Sequence, residues 1–331
     1  NTMNAEFTHR DKINLFTLAI IAIGGIFATD IYIPSLPAMM HALHTSREYA
    51  KLTLTIFLFG LGISQLFYGA LSDYIGRKPI AIVGTAIAAL ASLAAYFSMD
   101  INQLLIARFI QGLGAGAGII SARSILSDFY KDKKLAIASS YVTPVIMLSP
   151  IIAPVLGAHI QTWFDWKANF IFLFGFFIIT GILFYFIIPE SLSEDLKTKA
   201  KEKRIHLHFL DILSKPQIFI GASAAMIAAG CMFAFTTISA FIIETHFNLT
   251  PVEFSWSLLS IGIAGIIATG TTRIILNKTS IINMQRIGFA MMFLSSLGII
   301  WQACVHQHHL LLLLSFIWIL TIGQIYIFTS A

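Results

Sequence analysis

The sequence predicts an all-α polytopic membrane protein, and three observations carry that prediction. Charge is scarce: Asp, Glu, Lys and Arg make up 11% of 331 residues, where a soluble domain carries about 25%. Apolar stretches recur, ten in all, each near the roughly 20 residues that a helix needs to cross hydrocarbon. The stretches are continuous rather than alternating, so helices satisfy the backbone and a membrane β-barrel is excluded. The mean hydropathy of +0.82 agrees.

The first span covers 13–40 and is broken near its end by Pro34 and Pro37. It follows His9-Arg10-Asp11-Lys12, a basic start such as a secretory signal has. The run is too long for a signal and lacks a small-residue cleavage site, so it reads as a retained anchor. The second and third spans cover 51–71 and 79–98. The fourth, 103–126, carries Gly112 with Gly116 and Gly114 with Gly118, spacings that let helices approach closely. The fifth, 135–159, holds Pro144, Pro150 and Pro154. Pro150, Pro154 and Gly157 are expected to interrupt and bend it. The sixth covers 169–188. A polar linker, 189–215, contains Lys197, Lys199, Lys201, Lys203, Arg204 and Lys215. Four more spans follow at 217–243, 253–276, 281–305 and 310–330.

This pattern reads as an amino-terminal bundle of six helices (1–188), a cytoplasmic linker (189–215) and a carboxy-terminal bundle of four (216–331). Large internal repeats are common in transporters. A faint echo of the second-to-third link stands between the eighth and ninth spans, as Gly270-Thr271-Thr272-Arg273.

Orientation follows from the basic residues. With the amino terminus inside, 17 of the 21 Lys and Arg fall on inner links. Arg47, Lys51 and Lys167 fall outside, and Arg108 lies within a span. The positive-inside bias therefore places the amino terminus in the cytoplasm. The net charge of +5 serves topology and contact with anionic lipid, not nucleic acid.

Several features are bland. Cys231 and Cys304 lie in separate runs, with neither a disulfide framework nor metal spacing. The stretch His306-Gln307-His308-His309 reads as a solvated outer turn. Asn248 and Asn277 begin glycosylation-type triplets of a kind that arise by chance. Phe233, Phe235 and Phe241 read as packing rather than ligand stacking. No Ser/His/Asp set, no phosphate loop followed by Lys and no paired acids in a span are present. No enzyme activity, metal or cofactor is expected.

Ionisable groups within lipid are costly and functional by default. Asp30 is the one acid well inside an apolar run, roughly 9 Å below the outer end of the first span. Arg108 enters the fourth span from the same side, to a depth of roughly 8 Å. Two readings compete: Asp30 exchanges a proton under the influence of Arg108, or the two form a static structural pair. The first is preferred. Arg108, Gln111 and Gly112 share one helical face, with Arg108 and Gln111 lining a cavity.

The link Gly69-Ala70-Leu71-Ser72-Asp73-Tyr74-Ile75-Gly76-Arg77-Lys78 is the most charged short connection in the first half. Gly69 and Gly76 permit a tight turn and close approach. Asp73 caps a helix or pairs with a base, and Arg77 and Lys78 obey the positive-inside bias. Arg123 and Asp128, at the inner end of the fourth span, are the expected partners. Such a network latches one conformation and breaks on switching; the plainer reading is a topogenic turn.

These residues together resemble one branch of the major facilitator superfamily, the bicyclomycin-resistance (Bcr/CflA-type) drug:proton antiporters. The Gly-x-x-x-Asp-x-x-Gly-Arg-Lys link is similar to the superfamily's signature loop. Asp30-Ile31-Tyr32-Ile33-Pro34-Ser35-Leu36-Pro37 is similar to that branch's Asp-x-Tyr-x-Pro-x-x-Pro. Arg108-Phe109-Ile110-Gln111-Gly112 matches the superfamily's Arg-x-x-Gln-Gly. Pro154-Val155-Leu156-Gly157-Ala158 is similar to the antiporter Pro-x-x-Gly-Gly, with Ala158 for the second glycine. Trp166 and Phe170 match as well.

The resemblance implies the major facilitator fold, two bundles around a central cavity. It also implies export of small hydrophobic compounds or drugs, driven by inward proton flow across the bacterial cytoplasmic (inner) membrane. Carried over, Asp30 is the protonatable site and Arg108 its partner. Tyr32 and Gln111 become cavity walls, the link from Gly69 to Lys78 the gate, and Pro150, Pro154 and Gly157 the helix-bend motif. Expected partners are a small substrate, the proton and lipid, with the protein acting as a monomer. The branch has twelve helices and ten fit here, so the second bundle is expected to be incomplete. A non-transporting remnant and a permease importing a nutrient or siderophore remain open.

Overall fold

The computed structural model describes residues 7–192, 230, 235–276, 279–305 and 309–330. The expectations for 193–215, for most of the seventh span, for Asn277 and for 306–308 lie outside the described residues, as do Cys231 and Phe233. The chain divides into two compact units, Asn1–His206 and Leu207–Ala331. Among the described residues, nine helices are long and apolar enough to cross a membrane.

Unit one contains α1 (His9–Asp30), α2 (Leu36–Ala42), α3 (Arg47–Ile75), α4 (Arg77–Phe97), α5 (Ile101–Phe129), α6 (Asp132–Trp163) and α7 (Ala168–Ile187). The first expected span is thus two helices, joined by a 3-10 turn, Ile33–Ser35. Thr8 and Asp11 open α1 with a reciprocal capping box, which satisfies orphan N–H groups at its start. At the other end, Pro34 has no N–H to give the carbonyl of Asp30, so the α-helix stops there.

α5 is central and packs on α1, α3 and α4. Its glycines explain how. A side chain at Gly112 or Gly116 would strike α3, at the Phe57 carbonyl and at Ser64. One at Gly114 would come within 2.5 Å of the Ala88 nitrogen on α4, and one at Gly118 within 2.9 Å of the Ile21 oxygen on α1. The expected pair Gly112 and Gly116 therefore shares a face, while Gly114 and Gly118 meet different helices. Lipid tails are as apolar as the helices, so close packing of this kind drives their association. The outward side chains are apolar: Phe59, Phe67, Leu90 and Phe186 are exposed.

α6 corrects one expectation. It remains one continuous helix through Pro144, Pro150 and Pro154, so these prolines do not interrupt it. Each removes one backbone N–H without ending the helix, which membrane helices tolerate where neighbours satisfy the freed carbonyls.

Unit two contains a π-helical turn (Phe241–His246), α8 (Pro251–Leu276), α9 (Ile281–Cys304) and α10 (Leu310–Ser330). Thr250 and Glu253 cap the start of α8 reciprocally, at 2.8 and 3.2 Å. α10 packs on both α8 and α9. Trp318 Nε1 donates to Ser260 Oγ at 3.1 Å, and Gly288 and Gly323 bring α9 and α10 into backbone contact. The faint echo at Gly270 to Arg273 lies inside α8 and forms no link, and Gly270 has open space around it.

Candidate functional site

Two polar regions stand out, both in unit one. The first surrounds the end of α1. A helix that stops at Asp30 leaves carbonyls of its last turn without partners. Arg108, reaching from α5, takes one of them: its Nη1 donates to the Ala28 oxygen at 3.0 Å and to Gln111 Oε1 at 2.7 Å. A cation is well placed at a helix carboxy terminus, where the aligned peptide dipoles end negative. The guanidinium carbon lies 4.3 Å from the Phe57 ring centroid, 4.9 Å from that of Tyr32 and 5.9 Å from that of Phe170, so aromatic faces replace part of its lost hydration. Its Nε and Nη2 are buried without a partner.

Gln111 continues the chain of bonds. Its Nε2 donates to Ser92 Oγ at 2.7 Å, and Ser92 donates to the Ala88 oxygen at 2.6 Å. A polar line therefore runs from α1 through α5 to α4. The shared helical face of Arg108, Gln111 and Gly112 is real: two of them bond each other, and the third admits the backbone of Phe57, whose ring lies under Arg108.

Asp30 is 8% exposed. Among the described residues its carboxylate makes no hydrogen bond and no ion pair. No Asp30–Arg108 ion pair is formed; Nη1 of Arg108 is bonded instead to a backbone carbonyl and to Gln111. Ile31, Tyr32, Ile33 and Leu36, which follow Asp30, are at most 1% exposed. Tyr32 and Gln111, expected as cavity walls, are fully buried. The Tyr32 hydroxyl bonds with that of Thr53, and its ring packs 5.3 Å from Phe170.

The second region is the link between α3 and α4. Gly76 has φ +127°, a conformation open to glycine and strained for other residues. A side chain there would also come within 2.6 Å of the Glu190 carboxylate. Glu190 instead accepts from the backbone N–H of Arg77 at 3.0 Å and of Lys78 at 3.1 Å, capping the start of α4. Arg77 Nη1 lies 2.5 Å from Asp73 Oδ1 and donates to Ser72 Oγ at 2.6 Å. Its Nε donates to Asp128 Oδ2 at 3.3 Å, and Ser191 Oγ donates to the same oxygen at 2.8 Å. Lys78 Nζ lies 5.1 Å from the Tyr185 ring centroid.

Two members of the expected set stand apart. Gly69 lies inside α3 with nothing within 4 Å of a Cβ placed there, so it makes no turn and no close approach. Arg123 is exposed on α5 and forms no ion pair among the described residues; its position on the helix turns it away from Asp128. Of the bend motif, Gly157 has a specific neighbour: a side chain there would collide with the carbonyl of Ile31, at the α1 break.

Sequence reasoning missed Glu190 and Ser191, which it placed in the linker. The available signal was an acid directly after the sixth span, at the same membrane face as the uncapped start of α4. It also missed Glu244, a half-buried acid in the π-helical turn whose Oε1 has no hydrogen-bond partner among the described residues. At the start of α1, Tyr130 donates to Asp11 at 3.0 Å. Burial, and then the bond to Asp11, push the Tyr130 hydroxyl above its ordinary pKa.

The profile of the Major Facilitator Superfamily matches residues 18–331. The chain is 29% identical over 289 residues to a bicyclomycin resistance protein homolog of Haemophilus influenzae, covering 87% of this chain and 73% of that protein. It is 36% identical over 165 residues to the multidrug resistance protein MdtL of Vibrio parahaemolyticus (50% of this chain, 42% of that one). It is 34% identical over 163 residues to multidrug resistance protein D of Escherichia coli (49% and 41%). It thus spans less than half the length of these last two. Among solved structures, a bacterial homolog of the human lysosomal transporter Spinster superposes with a TM-score of 0.74 at 13% identity, covering 98% of this chain and 75% of that one. A D-xylose-proton symporter gives 0.68 at 13% identity, covering 97% and 81%. At such identity the likeness speaks for the fold alone.

Proposed function

The chain belongs to the Major Facilitator Superfamily, a multi-pass membrane fold, and from that premise we propose that it exports small hydrophobic compounds by alternating access, exchanging them for protons at Asp30. One observation supports this most: Asp30 is buried at the break of α1 and has no fixed partner among the described residues. An unpartnered acid in such a place is costly to retain for stability. A carboxyl without a partner can gain and lose a proton without breaking a structural pair.

Arg108 supports the reading in a second way. It holds the turn next to Asp30 by the Ala28 carbonyl, and leaves donors free that can answer a change of charge nearby. The names of the Haemophilus and Vibrio relatives support a drug-like substrate. We further assign the protein to the cytoplasmic membrane as a monomer with its amino terminus inside, on the distribution of Lys and Arg. The network around Arg77 serves as the inner gate's frame.

The test is pH-gradient-driven export from vesicles carrying the full chain, with bicyclomycin and ethidium as probes. Asp30→Asn should abolish uphill transport while the purified protein keeps its melting temperature. Full uphill transport by that variant would refute the assignment.

A further inference from the structure

Asn169, in the first turn of α7, is not part of any motif considered above. It is fully buried. Its Nδ2 donates to Ser35 Oγ at 2.8 Å and to the Gly157 carbonyl at 3.4 Å. The second bond fixes the orientation of the amide, since a carbonyl accepts only from nitrogen. Its Oδ1 is buried without a partner among the described residues.

Those two partners matter because of where they sit. Ser35 ends the 3-10 turn that follows Asp30. Gly157 is the α6 residue whose missing side chain makes room for the Ile31 carbonyl. The adjacent Phe170 packs on Tyr32 at 5.3 Å. The broken segment from Ile31 to Ser35 is therefore held downstream by α6 and α7, just as Arg108 holds it upstream at Ala28. An apolar side chain would fill the position of Asn169 without stranding a buried oxygen, so packing alone does not account for an amide there.

We propose that Asn169 is a positioning residue for the exchange reaction: by clamping Ser35 to Gly157 it fixes the segment that carries Asp30, and so couples proton movement to substrate movement. This rests on the export reading given above. The charged and titratable groups around the segment are Asp30, Tyr32 and, from α5, Arg108. From the other packed elements, His159 of α6 is turned to the Val155 oxygen at 2.8 Å, and Lys167 before α7 donates to the Ser98 oxygen at 2.8 Å.

The experiment uses the full chain in proteoliposomes, with ethidium, tetraphenylphosphonium and bicyclomycin as probes, and two assays. One follows pH-gradient-driven transport. The other follows counterflow, the exchange of probe for probe with no gradient. Asn169→Leu removes both donors, Asn169→Asp keeps the shape and removes the amide, and Ser35→Ala removes one acceptor. Each should lower gradient-driven transport by ~10-fold while counterflow stays within about twofold, a coupling loss of ordinary size. Should the leucine variant fail to fold, the other two carry the test. Equal loss in both assays, loss of folding in all three variants, or unchanged gradient-driven transport overturns the proposal. A wild-type chain that moves none of the probes against a gradient overturns the export reading, and the proposal with it.

Discussion

Arg77 and Arg108 stand in the same unit, the first at the start of α4 and the second reaching the end of α1 from within α5, and their surroundings differ in kind. Arg77 is met by Asp73, Asp128 and Ser72 at the link between α3 and α4. Arg108 has no acid bonded to it among the described residues, only a carbonyl, an amide and three aromatic faces. Two of its nitrogens go unused. A charge that has been fully answered holds structure together. A charge answered only in part carries unpaired buried donors, each of which costs about 1–3 kcal/mol.

The comparison can be broken most directly at Arg108. Arg108→Leu should eliminate gradient-driven transport yet leave the protein folded, with stability lowered by only about 1–3 kcal/mol for the acceptors of Ala28 and Gln111 that lose their donor. A collapse of the fold together with transport would make Arg108 another Arg77. The link between α3 and α4 should respond in the opposite sense. Asp128→Ala removes an acceptor shared by Arg77 and Ser191 and should lower unfolding stability by about 2 kcal/mol, read by chemical denaturation in detergent. Asp73 is half exposed, so Asp73→Ala should cost less than ~1 kcal/mol in the same assay. If the two acids weigh equally, the shared bond to Ser191 is not what matters. The smallest effect should come from Gly69→Ala. A glycine within a helix, with open space beside it, should gain roughly 0.5–1 kcal/mol on acquiring a methyl group.

Much of this was legible in the sequence, for reasons of scale. Continuous apolar runs give the helices, because nothing else satisfies a backbone in hydrocarbon. The depths of Asp30 and Arg108, counted by helical rise, correctly bring α1 and α5 together at that level. Depth does not give direction, however, and the guanidinium turned out to serve a backbone carbonyl rather than the carboxylate. The proline pair in the first span showed where α1 ends. The proline pair in α6 promised an interruption that did not occur, since a helix can lose isolated N–H groups and continue. Glu190 was illegible as a cap because the N–H groups it meets lie 113 and 112 positions earlier. Asn169 carried no signal beyond being a polar residue at the start of an apolar run.

The contact of α3 with α5 deserves a mechanical reading. Gly60 of α3 lets the Phe109 oxygen come within 2.5 Å of where a side chain would begin, and Gly112 of α5 admits Phe57 in return. Main chain thus rests on main chain, with no layer of rotatable groups between them to absorb load. A joint of that sort behaves like meshed gear teeth rather than a cushion. Any larger side chain at Gly60 or Gly112 would have to push the two backbones apart.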